Sequence, residues 1–528
     1  MSEKEQISLK NQSAWLFFAK IIGFAFQTIL PLLVVRFLTQ DQFGIYQQVF
    51  KVLTNLVAIL PLGFSLSAFY FLAREEEKKP FAIFNIMFFN FVMGGIAFLI
   101  CFFQPQIIGN IFQSSEILKY IPLLGIGVWV WIFSQFLETV VLANQESKIA
   151  TFFIVFAQFI KSLLMVVSVV FFTTVESLIY AAIIFGIIQS CLLIYYLNSR
   201  FPTFWKSFDW KFFREHAIYA LPFGISGLVW VLQIEIHNYF IANRFLPAEY
   251  AIYAVGCFQL PLIGIIAESA TNVLIPRMSE LQLQDDKREM IELTSRVMQK
   301  LSFFYFPIYV FLMITAQTFI TTLFTDKFSA SVPIFMINLT LLPFYIWVTD
   351  PIARAFQEIG RFLFIYRIIF FVFLVSILWF AIQNFTLLGM IATVVITTLI
   401  ELSIASAVVL YKVGVRFSDL YLLKNIGKTS LISLFAGFFT FLVYANTKGF
   451  LPIWDEKLAE FMRPSFSHFL AGCFVLGISA LVYGIIYLIG ANYFNLIDEN
   501  EKQLVKSFIT KLTKRGGNSV IANPQSQI

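Results

Sequence analysis

Charge is what this sequence has least of. Asp, Glu, Lys and Arg make up 13% of its 528 residues, against about 25% in an ordinary soluble protein, so the chain cannot cover itself with polar surface in water. Cysteine and histidine are scarce too. Cys101, Cys191, Cys257 and Cys473 each lie in or beside an apolar run, with no CxxC spacing and no neighbouring His, and read as buried structural thiols. His216, His237 and His468 are far apart, so no metal site is expected. No basic face is concentrated enough for nucleic acid. P-loop, nucleophile-elbow and metal-cluster motifs are absent, which speaks against an enzyme.

What the chain does have is apolar length. Hydrophobic residues make up 59% of it, mean hydropathy is +0.81, and they fall in runs of about 20, the length a helix needs to cross ~30 Å of hydrocarbon. An all-α polytopic membrane protein follows, with fourteen expected spans. Six form a first lobe within 13–197: 13–35, 43–72, 81–103, 117–142, 150–172 and 176–197. An aromatic, basic linker occupies 198–215. Six more form a second lobe within 216–412: 216–242, 250–275, 300–323, 332–356, 361–383 and 386–412. Residues 413–497 hold two further spans, 426–444 and 468–493, with their loops. The polar N-terminus (1–12) lacks the basic start and cleavage site of a signal peptide, so the first span reads as retained. The tail, 498–528, is charged and then Gly/Asn/Ser/Gln-rich, a composition expected to be disordered at its end.

Cytoplasmic loops gather Lys and Arg. Placing both termini in the cytoplasm puts 26 of the 37 Lys/Arg on the inner side and 7 on the outer; Lys20, Lys51, Lys161 and Arg367 lie inside spans. Pro31, Pro61, Pro122, Pro222, Pro261, Pro307 and Pro343 interrupt spans, and each invites a kink. The chain also repeats itself. Arg36-Phe-Leu38 and Arg244-Phe-Leu246 close the first and seventh spans, then Asp41-Gln-Phe-Gly-Ile-Tyr46 and Glu249-Tyr-Ala-Ile-Tyr253 open the second and eighth. Two lobes of one topology, related by an axis along the membrane normal, are implied.

These same places carry a resemblance. Lys20-Ile-Ile-Gly-Phe24, Arg36-Phe-Leu38, Phe43-Gly-Ile-Tyr46 and Leu60-Pro-Leu-Gly63, with Tyr219-Ala-Leu-Pro-Phe-Gly224 and Ile275-Pro-Arg-Met-Ser279 in the second half, resemble the polysaccharide-export flippases. These are the Wzx type of the multidrug/oligosaccharidyl-lipid/polysaccharide exporter superfamily, and the resemblance covers roughly 10–420. It implies a V-shaped, two-lobed bundle around a central cavity, and a polyprenyl-pyrophosphate oligosaccharide flipped to the outer leaflet of a bacterial inner membrane. Its implied partners are that lipid-linked glycan, membrane lipids and other polysaccharide assembly proteins. Lys20 and Lys51 match basic positions of the related peptidoglycan-precursor flippases. Phe26 and Gln27 stand where that subgroup has Arg and Asp, which favours another glycan.

A pyrophosphate headgroup cannot cross hydrocarbon unaided, because an unpaired buried anion is very costly, so a flippase needs a wet cationic groove. Lys20 and Gln27 share one face of the first span, and Gln47, Lys51 and Asn55 share one face of the second. Lys161 lies near the middle of the fifth span, three residues after Gln158, and could pair with Glu138; Trp131, Gln135 and Glu138 form a stripe whose tryptophan is a core residue or a sugar platform. Glu138, Glu235, His237 and Glu268 are candidates for coupling or gating, since an intramembrane Glu can carry a proton or bind Na⁺ as readily as neutralise a nearby Lys. Asp350 and Arg354 are spaced for an i,i+4 gate pair; Arg367 is expected to snorkel, and Glu401 lacks an obvious partner. No cofactor is expected beyond such a coupling ion. Two rival functions fit the same chain. A cation-coupled multidrug exporter would favour acidic rather than basic residues in the first lobe. A membrane glycan polymerase or ligase would need a large outward loop, and the longest here is only 445–467.

Overall fold

The computed structural model describes residues 21–23, 25–74, 76–202, 204–206 and 208–497. Lys20, residues 13–20 of the first expected span, and the tail from residue 498 lie outside them. Among the described residues the regular structure is helical, with no strand. The described part of the first span is α1 (Ile21–Val34). The first half continues as α2 (Gln40–Ile59), α3 (Phe64–Arg74), α4 (Lys79–Phe103), α5 (Pro105–Gly109), α6 (Ile121–Ser134), α7 (Phe136–Ala143), α8 (Ser147–Phe172) and α9 (Val175–Arg200). Next come α10 (Trp210–Arg244), α11 (Pro247–Gly256), α12 (Pro261–Leu283), α13 (Lys287–Phe324), α14 (Val332–Leu339) and α15 (Asp350–Ala355). The chain ends with α16 (Gln357–Asn384), α17 (Leu387–Val413), α18 (Lys424–Thr447), α19 (Leu451–Ala459) and α20 (Pro464–Tyr493).

Twelve helical stretches of the described residues are long and apolar enough to cross a membrane, and α11 with α12, bent by 50° at their junction, bring the number to 13. The remaining expected span is the first, of which α1 is the described part. The protein is a multi-pass membrane protein. The expected tenth span, 332–356, is shorter than the sequence suggests. Its apolar stretch ends at Ile346, and α15 follows as a separate helix whose second residue, Pro351, has no N–H to continue a ladder.

Proline acts where a second feature supports it. Between α2 and α3, Pro61 is followed by Leu62 and Gly63 with φ of +43° and +82°, and the helix breaks. Between α11 and α12 the break ends at Pro261. The second and eighth spans, equivalent in the repeat, are therefore both interrupted. Pro222 and Pro307 instead lie inside the continuous helices α10 and α13.

The repeat is visible in the caps. Thr39 opens α2 with a capping box: its hydroxyl accepts from the Gln42 N–H at 3.2 Å while the Gln42 side chain accepts from the Thr39 N–H at 3.1 Å. At α11 the Glu249 carboxylate accepts from the Leu246 N–H at 3.0 Å. Gln42 and Glu249 are thus the equivalent residues, at an offset of 207 against 208 for Arg36 and Arg244, so a one-residue gap between the repeats precedes the caps. The two preceding arginines do not act alike: Arg36 donates to Thr322 O at 2.8 Å and Leu323 O at 2.9 Å, carbonyls at the end of α13 that no helix partner satisfies.

By packing, the chain divides into two compact units. The first comprises Met1–Ile265, Phe319–Leu341 and Gln357–Ala405; the second comprises Ile266–Thr318, Leu342–Phe356 and Ser406–Ile528. In the first, a core of α3, α4, α7, α9 and α10 side chains gathers around Phe64, Ile83, Phe136 and Leu193. Two backbone approaches fix its helices. A Cβ at Gly44 would lie 1.9 Å from the Pro247 carbonyl oxygen, and one at Gly63 would lie 2.4 Å from the Ala220 oxygen. The second unit packs Ile432 and Ala436 against Tyr483 and Tyr487, and Arg288 pairs with Asp419 at 2.7 Å.

Candidate functional site

Lys51 projects from the middle of α2 to the carboxylate of Glu235 on α10, at 3.0 Å from Oε2 and 3.2 Å from Oε1. The Asn238 amide, one turn further along α10, donates to Glu235 Oε2 at 2.8 Å and fixes the carboxylate. One turn further along α2, buried Asn55 donates to the Tyr239 hydroxyl at 2.9 Å. His237 Nδ1 meets the Tyr253 hydroxyl of α11 at 2.8 Å. The polar face expected on α2 is thus real at Lys51 and Asn55, and α10 supplies its partners. Gln47 is half-buried, whereas its neighbour Gln48 is buried with Oε1 unpartnered, a position the spacing rule passes over. The Lys51–Glu235 pair keeps 31% and 20% side-chain exposure, so it is reachable.

Lys161 is arranged differently. Its ammonium lies 4.8 Å from the centre of the Trp131 ring, a cation–π contact. Trp131 is buried and held by its indole N–H, which donates to Ala182 O at 2.8 Å. The pairing of Lys161 with Glu138 is not formed: Glu138 is exposed, and among the described residues no carboxylate acts on Lys161. The two residues lie on different spans, and which sides of those spans face each other is set by packing: Glu138 is on an exposed side of α7, while Lys161 turns to Trp131. Gln135 itself donates to Val57 O at 3.2 Å. Gln158, one turn before Lys161, packs against α1 at Gly23, and Gln27 is exposed one turn beyond.

A second polar group joins α10, α16 and α17. The Glu401 carboxylate interacts with the side chain of Gln233 and lies in the field of Arg367. The Arg367 guanidinium covers the Trp230 ring at 4.6 Å. Glu401, without an obvious partner in the sequence, therefore has two, Gln233 from the remote helix α10 and Arg367 from the preceding helix α16. Elsewhere Glu268 is exposed, and Asp350 and Arg354 form the expected i,i+4 pair at 2.7 Å, also exposed. Among the described residues no three His, Cys, Asp or Glu gather as a metal site.

This arrangement can be set beside known proteins. The sequence model of the polysaccharide biosynthesis protein family matches residues 33–333. No curated protein sequence matches the chain. Among solved structures the fold is similar to the lipid II flippase MurJ in an inward closed conformation, with TM-score 0.65 and 17% identity over 92% of this chain and 99% of that one. It is also similar to a MOP-superfamily transporter from Pyrococcus furiosus, with TM-score 0.54 and 16% identity over 76% and 96% of the two chains. An inward-facing MATE-family multidrug resistance transporter gives TM-score 0.52 and 15% identity over 74% and 94%. At these identities the likeness is one of fold. The match of more than half the chain, joined to a fold shared with flippases and transporters, makes this chain a member of the polysaccharide biosynthesis protein family.

Proposed function

We propose that the protein is a flippase for a polyprenyl-pyrophosphate-linked oligosaccharide or polysaccharide repeat unit. It would move this lipid from the cytoplasmic to the outer leaflet of a bacterial inner membrane by alternating access, with both termini in the cytoplasm. The observation that carries the reading is Lys161, a cation near the middle of an apolar helix, held on a tryptophan and matched by no carboxylate among the described residues. A lone lysine at a helix centre costs about 2.5–3.5 kcal/mol on the insertion scale, and an anionic headgroup is the ligand that would offset it. The interrupted second and eighth spans would be the hinges of this movement. No covalent chemistry is assigned to the chain.

The test is reconstitution. Proteoliposomes containing the wild-type chain are expected to move a fluorescent lipid-linked glycan between leaflets, and Lys161→Met to lose that activity. Transport no faster than in protein-free vesicles would end the proposal. The multidrug-exporter reading draws on Glu235 and Glu401 as acidic groups for a cationic drug, yet Glu235 is already occupied by Lys51. Resistance to cationic dyes on expression would favour that reading.

A further inference from the structure

The Lys51–Glu235 pair has a consequence for any anion that binds at Lys51. The pair is neutral, half-buried and built from two helices of the first unit, α2 and α10. An anion that takes Lys51 leaves the Glu235 carboxylate without its cation, in an apolar surrounding where an unpaired charge is expensive. The charged or titratable groups around it are few. His237 and Tyr239 lie beside it on α10, and Tyr250 and Cys257 act on it from α11 and the turn after it. Arg367 lies on the Trp230 side of α10, engaged with that ring and acting on Glu401. His237 is bonded to Tyr253, and Asn238 offers an amide but no charge. Among these described groups no second cation is placed to replace Lys51.

We propose that Lys51 is shared in turn between Glu235 and the phosphate of the substrate, and that Glu235 takes up one proton from water when Lys51 leaves it. The carboxylate becomes a neutral acid, the Asn238 amide remains beside it, and anion binding is accompanied by uptake of a single proton. Lys51 is then a binding residue, and Glu235 sets the charge balance of the site. This rests on the flippase reading above, but it is measured by binding rather than by transport, so either can fail alone.

Inorganic pyrophosphate is a sufficient probe, added to the purified full-length protein in detergent. Infrared difference spectra are expected to show one carboxylate converted to carboxylic acid on pyrophosphate addition, and the band is expected to vanish in Glu235→Gln. That variant frees Lys51 from its competitor, so pyrophosphate should bind about tenfold more tightly, with a weaker pH dependence than the wild type; tenfold corresponds to about 1.4 kcal/mol. Wild-type binding should strengthen as pH falls, because the carboxylate that gains a proton competes for Lys51 only when charged. If Glu235→Gln cannot be purified, the wild-type spectrum alone decides, since pyrophosphate binding without a new carboxylic-acid band overturns the proposal. Equal affinity of Glu235→Gln and wild type would overturn it as well. Binding that fails in Lys51→Gln while the flippase assay still runs would keep Lys51 as the anion contact and place the transported headgroup elsewhere.

Discussion

Lys161→Met is expected to make the protein more stable and less active at once. The lysine lies near the middle of α8 on the face of Trp131, without a carboxylate partner among the described residues. Holding its charge at a helix centre costs about 2.5–3.5 kcal/mol, and the cation–π contact returns about 0.5–2 kcal/mol. The side chain is half-buried rather than sealed, which reduces the cost further. A net strain of about 1 kcal/mol remains by these figures. Methionine keeps the unbranched stem and puts a polarizable sulfur on the same ring, so the substitution removes the charge while preserving the packing. Thermal unfolding in detergent should show Lys161→Met more stable than wild type by about that amount, and Lys161→Arg close to wild type in both stability and transport. If methionine destabilises the protein, or transport survives it, the argument that this cation is kept for a ligand is wrong.

Other outcomes follow from the same geometry. Lys51→Gln and Glu235→Gln should each destabilise, and a double-mutant cycle should give a coupling of about 1.5–3 kcal/mol for a close, half-exposed pair; additive effects would show that the pair contributes nothing to folding. Gly44→Ala has no room for its methyl beside the Pro247 carbonyl, so α2 and α11 must separate, costing about 1–3 kcal/mol. Arg36→Ala leaves the Thr322 and Leu323 carbonyls without their donors and should lower stability by about 1–3 kcal/mol. Both are checked by unfolding curves of the purified variants.

Much of the fold is legible in the sequence because span length and hydropathy are local properties. The motifs that carry the family resemblance also acquire a physical meaning. Leu60-Pro-Leu-Gly63 makes the turn whose positive φ values let it lie against α10 at Ala220, within the motif Tyr219–Gly224, and Gly44 is the point where α2 approaches α11. The face Lys51-Asn55 could be found because helical spacing is local as well. Its partners could not: Glu235 and Tyr239 lie 184 residues away, and which helix faces α2 is a matter of tertiary packing. The same limit hid the contact of Glu401 with Gln233 and the stacking of Arg367 on Trp230. The partner of Lys161 was hidden in the same way, since its contact is with the Trp131 ring of another span rather than with Glu138.

The central claim is that a phosphorylated headgroup rests on Lys161. It is tested most directly by native mass spectrometry of the purified protein with a polyprenyl pyrophosphate and the corresponding polyprenol, added together. The wild type should retain the pyrophosphate in preference to the alcohol, and Lys161→Met should show a much smaller preference. A preference undiminished in Lys161→Met, or missing in the wild type, would contradict the account.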